Sequence, residues 1–221
     1  MTAFCGVDVG SLRTPAYVAW LRDQEFILDL YIPSGENPLP PFPAWVEGRL
    51  YFAFDAPQGL PADGRNVRKA DQDAKTPTQA LPRNRTELHT WKLYRGLIEA
   101  GMEIFWSIYE KRLANIFGLD QSEQNWAAEA YPRYTLRQWW PDLRIPSKKN
   151  EPSAYVDAVW SRLQKEGYRC PSLLRPTVDQ VDAMLCALAA LSITFCAKRE
   201  FAGSAPLVDE KERVLREGWI V

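Results

Sequence analysis

Four acidic residues in this chain occupy positions that folding alone explains poorly. Each one follows or interrupts an apolar run, and burying an unpaired charge costs several kcal/mol. A divalent metal ion shared among these residues would supply the partner that each carboxylate needs. The four residues are Asp8, Asp55, Glu129 and Asp182.

The donor types in the chain indicate which metal such a site would bind. Clustered carboxylates repel one another, so some would take up protons in the absence of a cation. Mg²⁺ and Mn²⁺ prefer hard oxygen ligands in octahedral geometry and need neither histidine nor cysteine. The chain has four cysteines without CxxC spacing and one histidine, which argues against zinc. The predicted cofactor is therefore Mg²⁺ or Mn²⁺, and two such ions about 4 Å apart can promote phosphodiester cleavage.

A fifth carboxylate, Asp179, lies three residues before Asp182 and projects from the same face of a predicted helix. Structural interpretations of several of these acids stay open. Asp8 is also placed to cap a turn, Asp55 to form an Asx turn, and Asp179 to stabilise the first turn of a helix.

The residues before and around these acids have the pattern of short strands. Residues 3–9, 16–21 and 25–32 are separated by turn signals too short for a parallel crossover, which predicts an antiparallel meander. Residues 50–54 form a fourth, almost wholly apolar strand, which is typical of a strand buried on both faces. A fifth strand is predicted over residues 125–131.

Helical patterns follow the fourth strand. Residues 58–85 predict a long loop, and the periodicity from residue 86 to 117 predicts two helices separated near Gly101. Two further helices are predicted over residues 153–166 and 177–199, the second beginning with a capping box.

This order of elements predicts a mixed α/β fold, with a five-stranded sheet, an antiparallel three-stranded start and flanking helices. We expect one domain over residues 1–221, with a loop and helical insertion at about residues 58–118. Ligands collect at the carboxyl ends of the strands in such sheets. Asp8, Asp55 and Glu129 are each placed near such an end, so they converge if their strands are neighbours.

Composition limits the remaining classes. The formal net charge of -1 excludes a globally basic nucleic-acid binder. We find neither an apolar stretch of about 20 residues nor an amino-terminal leader, which predicts a cytoplasmic protein without a membrane partner. Cys5, Cys186 and Cys196 are interpreted as small core residues.

Two basic stretches follow the strands that end at Asp55 and Glu129. A phosphate backbone would lie along them, and Trp139 and Trp140 would stack on unpaired bases. The alternative is that charge runs are solvated loops and tryptophans are core residues. The basic residues are Arg65, Arg68, Lys69, Lys75, Arg83 and Arg85 in the first stretch and Arg133, Arg137, Arg144, Lys148 and Lys149 in the second.

The ordered motifs resemble an uncharacterised family of predicted RNase H-like nucleases, domain of unknown function 429. The resemblance covers nearly the whole chain. Its motifs are GVDVG at residues 6–10, FDAPQGLP at 54–61 followed by Arg65, Arg68 and Asp71, EAYP at 129–132 and DQVDA at 179–183. The last five residues, EGWIV at 217–221, also resemble the closing strand of that family.

This resemblance implies an RNase H-like fold with an acidic active site. Asp8, Asp55 and Asp182 would bind the metal, and Glu129 and Asp179 would be auxiliary carboxylates, Glu129 serving in catalysis and Asp179 at the metal. The leading hypothesis is a metal-dependent nuclease that acts on DNA or RNA. Arg65, Arg68 and Arg133 are the residues expected to bind this substrate.

Two other classes of function stay open. The GVDVG motif also resembles the first phosphate loop of actin and hexokinase relatives, which handle nucleotides or sugar phosphates. The chain has no second glycine-rich loop and is too short for two such domains. The other alternative is a non-catalytic interaction module, in which the acids would be hydrogen-bonded without a common focus.

Overall fold

The computed structural model describes residues 2–62, 64–78, 80–119, 125–194 and 201–221. In this part of the chain eight strands and six helices form a mixed α/β fold. The strands are β1 Ala3–Asp8, β2 Ala16–Arg22, β3 Glu25–Tyr31, β4 Leu50–Asp55, β5 Asn115–Ile116, β6 Trp126–Glu129, β7 Ala202–Asp209 and β8 Val214–Ile220. The helices are α1 Lys69–Ala74, α2 Arg85–Thr90, α3 Arg95–Glu110, α4 Pro132–Trp139, α5 Pro152–Lys165 and α6 Val178–Ile193.

The sheet has the strand order β3-β2-β1-β4-β6-β8-β7, and β5 pairs with β6 outside this path. The antiparallel start over β1 to β3 is confirmed. Strand β4 then runs parallel to β1, and β6 runs parallel to β4. In this register Asp8 lies opposite Asp55, and Phe54 lies opposite Glu129. The parallel pairing therefore brings three of the predicted acids to one edge of the sheet.

The sheet extends beyond the five predicted strands, because β5 and the hairpin β7–β8 add to it. Strand β8 contains residues 217–220 of the closing strand that the family resemblance implies. The hairpin lacks an alternating apolar pattern, since β8 buries Arg216 and Glu217. Gly203 and Gly218 have positive φ values of 129° and 133°. A Cβ on Gly203 would lie 2.1 Å from the Gly218 carbonyl oxygen, so glycine permits this close strand contact.

Helix α6 covers one face of the sheet and is buried on almost every side. Its capping box, formed by Thr177 and Gln180, is confirmed. A Cβ on Gly6 would lie 2.1 Å from the Ala183 carbonyl oxygen, so Gly6 lets α6 approach β1 closely. This contact places Asp182, the neighbour of Ala183, beside the end of β1.

Helix α3 runs without interruption through Gly101, so the predicted break there is wrong. A Cβ on Gly101 would lie 2.2 Å from the carbonyl oxygen of Pro57. Glycine is thus required by packing against the segment after β4 rather than by a turn. The predicted loop 58–85 contains α1, and α4 begins with Pro132 directly after β6.

Cys5 and Cys186 are fully buried, which confirms them as core residues. Cys196 and the predicted helix end at Arg199 lie outside the described residues. No helix in the described ranges is long and apolar enough to cross a membrane.

Candidate metal centre

Three of the predicted acids meet at the carboxyl edge of the sheet. Asp8 ends β1, Asp55 ends the neighbouring β4, and Asp182 comes from the second turn of α6. One carboxylate oxygen from each lies within 4.8 Å of the other two. Asp182 is buried, and Asp8 and Asp55 are half-buried. We call this group the acidic triad.

The triad receives few partners from the protein. The Tyr155 hydroxyl donates to Oδ1 of Asp182 at 2.6 Å, and the Lys148 ammonium donates to Oδ2 of the same carboxylate. In the part of the chain that the structure describes, the carboxylates of Asp8 and Asp55 accept no hydrogen bond. The turn-capping role of Asp8 and the Asx turn of Asp55 are therefore not seen.

Burial and mutual repulsion raise the pKa values of the triad. Burial, followed by the charge of Asp182, raises the pKa of Asp8 to about 7. Burial and the neighbouring Asp8 raise the pKa of Asp55 well above its usual range, although Lys148 opposes both shifts. Burial also raises the pKa of Asp182 against the lowering effects of Lys148 and Tyr155. The triad thus has room for more positive charge than the described residues supply.

Glu129 belongs to a second and separate acidic group at the same edge. Arg68 donates from Nη1 and Nη2 to the two oxygens of Glu129, at 2.6 and 2.7 Å, and from Nε to Asp71 at 2.8 Å. The Gln58 backbone N–H also donates to Glu129 at 2.7 Å. Asp71 accepts further bonds from the hydroxyls of Thr76 and Thr78. We call Arg68, Asp71 and Glu129 the arginine cluster.

The arginine cluster changes two of the predicted roles. Arg68 is completely buried, and burial alone would lower its pKa, but Glu129 and Asp71 raise it well above the usual value. Arg68 was predicted to bind substrate, but its donors already bind the carboxylates of Asp71 and Glu129 and its side chain has no exposed surface. Glu129 lines the cavity described below, yet its carboxylate is held by Arg68 and lies outside the triad.

Three other residues that were predicted to bind metal or substrate lie outside the acidic triad. Asp179 is exposed in the first turn of α6 and is outside the triad. Arg65 is exposed away from the cavity, whereas Arg133 is exposed at the cavity wall.

Of the two adjacent tryptophans at the end of α4, Trp140 is in the core and half-buried Trp139 packs against it. Trp140 is only 2% exposed, and the Trp139 indole N–H donates to Ser192 Oγ at 3.0 Å. Both pack beside α5 and α6. The predicted stacking of these rings on nucleic-acid bases is therefore wrong for Trp140, which has no free face.

A cavity of about 640 Å³ opens beside the triad. Tyr94 stands in its wall at the start of α3, with a left-handed φ of 53° that is uncommon for a bulky residue. Two lining residues, Lys148 and Tyr155, were not assigned to the site from the sequence. Lys148 was placed in a basic stretch, and Tyr155 was given no polar role. These residues lie 34 and 27 positions from Asp182, so no local pattern joins them. The lining includes Asp8, Asp55, Asp182, Asp71, Thr78, Tyr94, Tyr131, Arg133, Lys148 and Lys149.

A family model described as a protein of unknown function, DUF429, matches residues 6–210 of the chain. The chain belongs to the DUF429 family. The matched range contains every member of the acidic triad and of the arginine cluster. Comparison of this DUF429 chain with curated proteins and with solved structures found no match.

Proposed function

We propose that this DUF429 protein is a metal-dependent nuclease that hydrolyses phosphodiester bonds at the acidic triad. The observation that carries this proposal is the common focus of three carboxylates beside a cavity. A non-catalytic module with separately hydrogen-bonded acids would not need this convergence. Among the described residues only Lys148 forms an ion pair with the triad, through Asp182, which favours an added cation as part of the working site.

The donor set of the triad fits Mg²⁺ or Mn²⁺. All three ligands are carboxylate oxygens, which are the hard donors that these ions prefer. Asp8, Asp55 and Asp182 would hold the ion, and the Tyr155 hydroxyl keeps Asp182 oriented. A bound divalent ion would supply Lewis-acid chemistry to a phosphodiester and would lower the pKa of an attacking water.

The strand arrangement supports an RNase H-like assignment for the central sheet. Strands β3, β2 and β1 are antiparallel, β4 and β6 continue in parallel, and α6 packs across β1. This five-strand part agrees with the fold that the family resemblance implies. In this interpretation the hairpin β7–β8 is an extension of that sheet.

The cavity favours an unpaired nucleotide as the substrate unit. Its volume of about 640 Å³ falls in the range of roughly 300–1,000 Å³ that encloses one small organic ligand. Tyr94 and Tyr131 offer aromatic surfaces, and Arg133 and Lys149 offer cations for phosphate. A duplex is too bulky for such a cavity, so we propose a single-stranded DNA or RNA substrate.

The proposal is tested by assaying single-stranded and duplex oligonucleotides with Mg²⁺ or Mn²⁺. The wild type should cleave the single strands, and chelation of the metal should abolish cleavage. Asp8→Asn and Asp182→Asn should each lower the rate by at least about 100-fold, because each removes a metal ligand. Asp157→Asn is a matched control, since this exposed acid of α5 pairs with Arg175 on the surface. Undiminished cleavage by Asp8→Asn would exclude the triad as the active site.

A further inference from the structure

Lys148 holds an unusual position between the solvent and the acidic triad. It lies in the segment that joins α4 to α5, and its side chain is 49% exposed. Its ammonium nevertheless reaches Oδ2 of Asp182, a carboxylate that is 1% exposed. The charge of Lys148 also acts on Asp8 and Asp55. One partly exposed lysine side chain therefore supplies the only cation paired with the triad within the described residues.

Both oxygens of Asp182 are occupied in this arrangement. The Tyr155 hydroxyl holds Oδ1, and Lys148 holds Oδ2. A metal ion that coordinates Asp182 must share or replace one of these partners. Tyr155 is 3% exposed and packs in the core with α6, so its hydroxyl has little freedom to move. Lys148 has a long flexible stem that extends into solvent.

We propose that Lys148 is the internal counter-ion of the metal-free triad and that a divalent cation displaces its ammonium from Asp182. This inference rests on the proposed function, from which the cation is taken to be Mg²⁺ or Mn²⁺. In both states a cation lies beside the three carboxylates, so their negative charge always has a counter-ion. It also makes metal binding competitive with an ion pair inside the same chain.

The displaced ammonium has a destination in the structure. Lys148 and Lys149 both line the cavity, as does Asp182, with which Lys148 is paired. Once released from Asp182, its charge becomes free to bind a phosphate group in that cavity. Metal loading and the positive charge offered to substrate would thus be coupled through one side chain.

The first test measures Mn²⁺ binding by isothermal titration for the wild type, Lys148→Met and Lys149→Met. Methionine keeps the length of the stem and removes the competing charge. Lys148→Met should bind Mn²⁺ roughly tenfold more tightly, as expected from the loss of one charged hydrogen bond. Lys149→Met is the matched control, because Lys149 makes no side-chain ion pair within the described ranges, and its affinity should change less than about twofold.

The second test needs only the wild type, so it does not depend on the folding of a variant. Limited acetylation with acetic anhydride, followed by peptide mass spectrometry, compares the two adjacent lysines with and without Mn²⁺. The labelling ratio of Lys148 to Lys149 should rise at least about threefold when Mn²⁺ binds, because only the neutral amine is acylated and the ion pair with Asp182 holds Lys148 in its ammonium form.

The outcomes separate this inference from the proposed function. Mn²⁺ binding to the wild type with an unchanged labelling ratio would overturn the displacement of Lys148 and leave the metal site standing. Equal Mn²⁺ affinities for the wild type and Lys148→Met would overturn the competition. Failure of the wild type to bind Mn²⁺ would overturn the metal site and the inference together.

Discussion

The acidic triad and the arginine cluster lie at the same edge of one sheet, but the protein neutralises them differently. In the arginine cluster two carboxylates share a completely buried guanidinium, a backbone N–H and two hydroxyl donors. In the triad one lysine and one tyrosine hydroxyl both donate to Asp182, and within the described ranges the carboxylates of Asp8 and Asp55 accept no hydrogen bond. Both groups would be expensive to bury without partners.

The number of partners that buried acids receive from the chain indicates which of them form a binding site. The carboxylates of the arginine cluster are satisfied by the chain itself, so they fasten the segment after β4 to β6 and need no ligand. The carboxylates of the triad are brought together by strand register and helix packing without enough donors. An acidic group that the fold concentrates but does not neutralise is the better candidate for a metal centre.

The largest expected effect on stability comes from removal of the guanidinium in the arginine cluster. Arg68→Met leaves the charges of Asp71 and Glu129 buried without their cation, so we expect the free energy of unfolding to fall by about 3–5 kcal/mol. Urea denaturation of the metal-free protein measures this change. Arg65→Met is the matched control, because Arg65 is exposed three residues earlier, and it should cost at most about 0.5 kcal/mol. Similar losses for the two variants would contradict the contrast between the groups.

The acidic triad should make the stability of the metal-free protein depend on pH. Burial raises the pKa of Asp8 to about 7 in the folded chain, so the folded state binds more protons than the unfolded state between about pH 4 and pH 7. Stability of the metal-free protein should therefore fall as pH rises through this window. From about pH 5 to pH 7 the loss attributable to this group is about 2–3 kcal/mol.

Thermal unfolding of the wild type and Asp8→Asn across this window isolates that contribution. The variant should be more stable than the wild type at about pH 7, and the difference should shrink towards about pH 4. Saturating Mn²⁺ should stabilise the wild type and not Asp8→Asn. A difference in stability between the two proteins that does not change with pH would show that the pKa of Asp8 is not raised in the folded chain.

The smallest expected effect comes from the loss of one hydroxyl donor in the arginine cluster. Thr76→Val removes the hydroxyl that donates to Asp71 at 2.7 Å but leaves Arg68 in place. We expect a loss of about 1 kcal/mol in unfolding free energy. The affinity for Mn²⁺ should stay as in the wild type, because Asp71 is not a triad member. A weakened Mn²⁺ affinity would show that the two groups form one site.

The sequence predicted the triad because its positions follow from local signals. Apolar runs predicted the ends of β1 and β4, and a polar residue inside the apolar stripe of α6 identified Asp182. The separation of Glu129 from this site could not be predicted, because its partner Arg68 lies 61 residues away. The pairing depends on how the segment after β4 folds back over β6, and no pattern within either segment contains that information.

The same limit explains the errors in the fold. Gly101 is typical of a break, but the close approach of Pro57 makes glycine necessary inside α3. The hairpin β7–β8 has buried charges and two glycines with positive φ, so alternation could not reveal it. Buried Arg216 is instead held by Asp209 at 2.7 Å and by the Pro61 carbonyl at 2.8 Å. Long-range partners, rather than propensity, determine these positions.

The most direct test of the central claim is a crystal structure of the wild type grown with Mn²⁺ and recorded for anomalous scattering. We expect an anomalous peak coordinated by Asp8, Asp55 and Asp182, with none beside Asp71 and Glu129. A crystal without a Mn²⁺ peak at the triad, or with the ion bound to the arginine cluster, would contradict it.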